Sequence, residues 1–84
     1  MTNKILVQVL VPIFQTKYDV FIPSNKRLSN VLILLQKAIN ELSEGWYPIV
    51  DNSDLYNQDT GKKYNLNLTV QEVNIESGTT LIII

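Results

Sequence analysis

One segment of this chain, Leu28–Leu42, carries an apolar stripe at helical period, and most of what surrounds it reads as strand or turn. Leu28, Val31, Leu32, Leu35, Ile39 and Leu42 fall at i, i+3, i+4, i+7, i+11 and i+14, one face of a 3.6-residue period. Asn30, Gln36, Lys37, Asn40 and Glu41 fill the other side, with Ile33 and Leu34 off the stripe or at its margin. Gly45 reads as the terminator, with Pro48 shortly after. The start is less defined: Arg27 is a poor N-cap, and Ser24, Asn25 or Ser29 could serve. A single amphipathic helix has to bury its stripe against another element. With 84 residues there is room for one domain, 1–84, so that element is a sheet built from the rest of the same chain.

The strands are legible from β-branched content and alternation. Lys4–Val11 (KILVQVLV) puts Ile5, Val7, Val9 and Val11 on one side and Leu6, Gln8 and Leu10 on the other, and Pro12 ends it. Lys17–Ile22 (KYDVFI) alternates in the same way, with Tyr18, Val20 and Ile22 opposite Lys17, Asp19 and Phe21, so the two segments read as a hairpin. Pro23, Ser24 and Asn25 supply turn chemistry. Trp46–Ser53 carries no clear pattern. Leu55–Asn57 is a short strand candidate, Asp59-Thr60-Gly61 a tight turn, and Lys63–Leu66 the return strand of that hairpin. Leu68–Ile75 fits a short helical turn that packs Leu68, Val70, Val73 and Ile75, and Thr79–Ile84 is a strand-prone end. The order predicts an α+β domain with one helix across a sheet of four or five strands, the first and last strands being central neighbours.

Composition removes most chemistry. The chain has no Cys, hence no disulfide, zinc–thiolate site, iron–sulfur cluster or thiol catalysis, and no His, the commonest general base and metal ligand. Seven basic and eight acidic residues leave a net charge of −1, without the basic footprint of a nucleic-acid binder. The longest apolar runs, Val9–Phe14 and Val31–Leu35, are far short of the ~18 residues of a membrane span. No secretory leader pattern is visible, and the expected location is cytoplasmic. Glu41, Glu44, Glu72 and Glu76 are scattered, and no Ser or Thr has a base beside it in sequence, so no enzyme activity, cofactor or metal is expected. Asp51-Asn52-Ser53-Asp54 lacks the sixth-position Gly and terminal Glu of a calcium loop, and Lys62-Lys63 is too small a basic cluster to bind nucleic acid.

This element order resembles the ubiquitin-like β-grasp fold over nearly the whole chain. The best local match is Thr69–Ile75 (TVQEVNI) followed by Glu76–Ile84, which is similar to the ubiquitin pattern of Thr-Leu-Ser-Asp-Tyr-Asn-Ile, a turn and a last strand. The resemblance implies that Val70 and Ile75 are core positions and that Leu81 and Ile83 point inward; ubiquitin has a Tyr where this chain has Val73. The step from Ile22 to Leu28 also matches. Conjugated members and sulfur carriers end in Gly-Gly, whereas this sequence ends Leu81-Ile82-Ile83-Ile84, which implies neither role. Among members without that tail it resembles the YukD-like proteins of bacterial type VII (ESX-like) secretion systems, through its size, the KYDVFIP strand leading into a Leu-rich helix, and the missing Gly-Gly. The resemblance implies an accessory or regulatory role and a protein partner, for which a membrane-bound secretion component is one candidate, with no insertion into the membrane itself. The alternatives are a structural homo-oligomer, a homodimer included, or an adaptor unrelated to secretion.

The expected protein-binding residues follow from alternation. If the odd residues of the first strand face the helix, Leu6 and Leu10 face outward, joined by Ile82 and Ile84 of the last strand and extended by Tyr56. Contiguous apolar patches on monomers usually have a use. The competing expectation is that Trp46–Ser53 or Pro12–Thr16 covers this face. Trp46 and Tyr47 are either interface anchors or a staple for their loop, and Ile13 and Phe14 either join the binding face or fold back onto the core.

Overall fold

The computed structural model describes residues 3–84. Four strands, β1 (Lys4–Val11), β2 (Thr16–Pro23), β3 (Leu55–Asn57) and β4 (Thr80–Ile83), form one sheet in the order β2-β1-β4-β3, with helix α1 (Leu28–Leu42) on one face. β1 pairs antiparallel with β2 and parallel with β4, and β3 pairs antiparallel with β4, so the first and last strands are the central pair. The sheet is mixed, and the central place of β1 and β4 agrees with the dense Ile/Val/Leu content of the first and last strands.

The core lies between α1 and the inner face. Val7, Val9 and Val11 of β1, Ile22 of β2, Leu81 and Ile83 of β4 and Leu55 of β3 meet Leu28, Val31, Leu32, Leu35 and Ile39 of the helix, all buried. Val70 and Ile75 close it from the long segment between β3 and β4.

Several sequence expectations need correction. Leu42, placed in the stripe, is 55% exposed, because it lies in the last turn, beyond Ile39, the final buried residue of α1. Gln36, assigned to the solvent side, is buried; its Oε1 accepts the Val50 N–H at 2.7 Å, so a polar residue here anchors the loop after the helix. Lys63–Leu66 is not a strand. Tyr56 and Lys63 make an isolated bridge only, and the segment runs along the outer edge of β3. Leu68–Ile75 forms hydrogen-bonded turns, one of them the i→i−4 bond from the Val73 N–H to Thr69 O, without continuing into a helix. At its head Thr69 and Glu72 cap each other, the Thr69 N–H donating to Glu72 Oε1 and the Glu72 N–H to Thr69 Oγ1. Those backbone and hydroxyl hydrogen bonds hold the Glu72 carboxyl below the ordinary carboxylate range.

Neither end of α1 closes as its local sequence suggests. Arg27 sits at the N-cap without a side-chain bond. The free N–H groups of Leu28 and Ser29 donate to the carbonyls of Leu68 and Leu66 instead, at 2.8 and 2.9 Å. At the C-terminus the Gly45 N–H bonds to Asn40 O and the Glu44 N–H to Glu41 O, the two bonds of a Schellman motif. The left-handed position glycine favours there is held by Glu44, at φ 57°, while Gly45 follows it at φ 86°. A Cβ in that region costs roughly 1–2 kcal/mol. Glu44→Gly is therefore expected to raise stability by about 0.5–1 kcal/mol, after the extra entropy of glycine in the unfolded chain. Urea denaturation with an unchanged m-value checks it.

Candidate functional site

The sheet face opposite α1 is built in rows by the strand registers. Lys17, Leu10, Ile82 and Tyr56 stand side by side across β2, β1, β4 and β3. The next row is Asp19, Gln8 and Thr80, where Thr80 Oγ1 donates to Gln8 Oε1 at 3.3 Å. Beyond it Leu6 is paired with Phe21. Leu10, Ile82 and Tyr56 thus form a continuous half-buried apolar row over three strands. Leu6, 39% exposed, stands apart from that row behind the polar pair Gln8 and Thr80.

Ile84 continues the ladder past β4, exchanging main-chain bonds with Asp54 at 2.9 and 3.1 Å. It is exposed and, with Ile13, Pro48 and Val50, lines a groove at the end of the sheet. Phe21, 65% exposed beside Leu6, belongs to the same face. It was absent from the expected site, although its alternation with Lys17 and Asp19 already put it there.

Trp46–Ser53 runs on the helix side. Asn40 Nδ2 donates to Tyr47 O at 2.7 Å, the Tyr47 N–H to Ser43 Oγ at 3.0 Å, and the Val50 N–H to Gln36. Tyr47 is the staple. Its ring is buried and meets Phe14 edge-on, centroids 6.3 Å apart, so Phe14 folds back towards the core while Ile13 remains 81% exposed. Burial raises the Tyr47 phenol above its ordinary value, and a hydrogen bond with the Ser53 side chain opposes that rise. Trp46, next to it, is 79% exposed.

In the acidic loop, Asp54 Oδ2 lies 3.5 Å from Lys63 Nζ. Among the described residues no three acidic side chains are grouped to hold a metal ion, and no helix is long and apolar enough to cross a membrane.

No protein-family model matches the chain, and no curated protein matches it by sequence. Solved structures do. A chain of the ESX-5 inner membrane complex without MycP5 aligns at a TM-score of 0.79 and 19% identity, covering 98% of this chain. The ubiquitin-like domain of the Mycobacterium tuberculosis type VII secretion system protein ECCD1 aligns at 0.75 and 11% identity, covering 96% of this chain and 97% of that one. The fold is ubiquitin-like. The N-terminal ubiquitin-like domain of the 4931431F19Rik protein agrees at 0.70 and 19% identity, covering 100% of this chain and 76% of that one. This ubiquitin-like chain spans only 21% of the ESX-5 component it matches.

Proposed function

We propose that this ubiquitin-like chain is a non-catalytic protein-interaction module that docks through the outer face of its sheet, and that it is an accessory or regulatory component of a type VII-like secretion apparatus on the cytoplasmic side. The observation that carries the docking surface is the row Leu10–Ile82–Tyr56, apolar side chains from three strands left partly open to solvent. Leu6 and Phe21 on one flank and Ile84 on the other enlarge the apolar area a partner would cover. Lys17 and Asp19 at the margin give it a polar rim. Likeness to a piece of the ESX-5 inner membrane complex and to the ECCD1 domain supports a membrane-associated secretion component as the partner.

The test is co-purification from detergent-solubilised cells of the source organism, with Ile82→Asp beside the unchanged protein and Ile33→Asp, on the exposed flank of α1, as control. An integral membrane component of a secretion system is expected with the unchanged and Ile33→Asp proteins. The Ile82 variant should bind it at least about thirty-fold more weakly, the loss of one central anchor worth about 2 kcal/mol. Equal recovery with the folded Ile82→Asp protein would exclude this face.

A further inference from the structure

The sheet has two edges, and the chain treats them differently. The outer edge of β3 is covered by the chain's own backbone: the Tyr64 N–H donates to Leu55 O and the Asn57 N–H to Lys62 O, both at 2.9 Å. Among the described residues, β2 lies at the other end of the strand order with a neighbour on one side only, and at 8 residues it equals β1 as the longest strand. The Ser24 N–H bonds to Asn3 O, which sets the alternation of the β1–β2 ladder. Thr16, Tyr18, Val20 and Ile22 turn their main-chain groups towards β1, and Lys17, Asp19 and Phe21 turn theirs to the open edge. Pro23 has no N–H to offer, so pairing is available towards the Thr16 end.

We infer that β2 is a self-association edge, through which two copies of this chain join their sheets antiparallel about a two-fold axis at Tyr18. The charges select the copy and the register. An axis at Asp19 would set Asp19 directly against Asp19 of the second copy, a destabilising like pair. An axis at Val20 would oppose Lys17 with Pro23, which lacks the donor that position requires. With the axis at Tyr18, Lys17 of each copy faces Asp19 of the other, twice by symmetry, in the two pairs whose main-chain groups point outward.

The helix side of the same segment supplies apolar area. Phe14, Thr16, Tyr18, Ser43 and Trp46 line a hollow beside the edge, and Trp46, 79% exposed, shares it with Tyr18, the residue the axis crosses. The second copy brings its own Tyr18 and Val20 alongside this hollow. Solvent-exposed ion pairs contribute little, so they set the register while the ladder and the aromatic contact hold the pair. The inference uses the main-chain edge of β2 and does not need the docking role proposed above; because the Lys17 and Asp19 side chains also rim that outer face, dimer mass and partner recovery are read separately for their variants.

Sedimentation equilibrium across a wide concentration range tests it, with Lys17→Asp, Asp19→Lys and the double exchange K17D/D19K, all at exposed positions. The unchanged chain should move from 9.6 kDa towards twice that mass as concentration rises. Each single variant sets like charges together in both pairs and should dimerise at least about tenfold more weakly. An equimolar mixture of the two single variants, and the double exchange by itself, should recover the dimer. In hydrogen exchange the Lys17 and Asp19 amides should slow with concentration, while those of Tyr18 and Val20, already bonded to β1, should not. A monomer at every concentration overturns the inference. So does a dimer indifferent to the charge exchanges, which would use another surface or register.

Discussion

Truncating Leu81 to alanine is expected to cost roughly 3–4 kcal/mol of folding free energy, the upper half of the range for buried Leu→Ala changes. Leu81 is fully buried on β4, the strand that joins the two halves of the sheet, with Val9 beside it on one side and Asn57 on the other. Contacts from both neighbouring strands and from the core restrict how far the cavity can collapse. An 84-residue domain has only about 4–13 kcal/mol in total, so this one change removes a large share of it. Leu42→Ala, at an exposed helix terminus, should cost under about 0.5 kcal/mol. Urea denaturation of the two variants reads the contrast, and similar losses would mean that α1 is seated differently.

Tyr47→Ala should be nearly as damaging, about 2–4 kcal/mol, and its effect should be local in origin. The ring fastens the Trp46–Ser53 segment to the hairpin through Phe14, and its hydroxyl is tied to Ser53, itself buried. Tyr47→Phe keeps the packing and loses the hydroxyl contact, at about 1 kcal/mol. The phenol also predicts a pH dependence. Its pKa in the folded protein lies above the ordinary value of 10.0, because burial disfavours the phenolate. The unfolded chain therefore loses this proton first as pH rises. The contribution is complete below pH 10 and is lost as pH climbs through the folded-state value. Tyr47→Phe should flatten that part of the alkaline stability profile. A profile identical to that of the unchanged protein would show that Tyr47 is not the group responsible.

Which residues point inward was legible wherever periodicity and burial are local matters. The alternation of Lys4–Val11 correctly separates buried Val7, Val9 and Val11 from Leu6, Gln8 and Leu10, and the helical stripe names every buried apolar residue of α1. It also takes in Leu42, since a repeat does not say where the core ends. The outer face was legible residue by residue but not as a surface. Alternation alone put Gln8 between Leu6 and Leu10 and Phe21 on the same face; that Thr80 joins Gln8 in the interruption, and that Phe21 stands opposite Leu6, follows from the ladders.

The sequence by itself therefore determined α1, the four strands of the sheet, their order and their inner faces, because each depends on side chains a few positions apart and on one hydrophobic driving force. Tertiary structure decided whatever depends on groups distant in the chain. Leu66 and Leu68 cap a helix that begins at Leu28, Gln36 holds Val50, and Lys62–Tyr64 shields β3 where Lys63–Leu66 read as a return strand. Asp19 of β2 is left on an open edge beside Lys17. Main-chain donors and acceptors must be satisfied by whatever the fold brings near them, and no pattern within a short window records which partner that is.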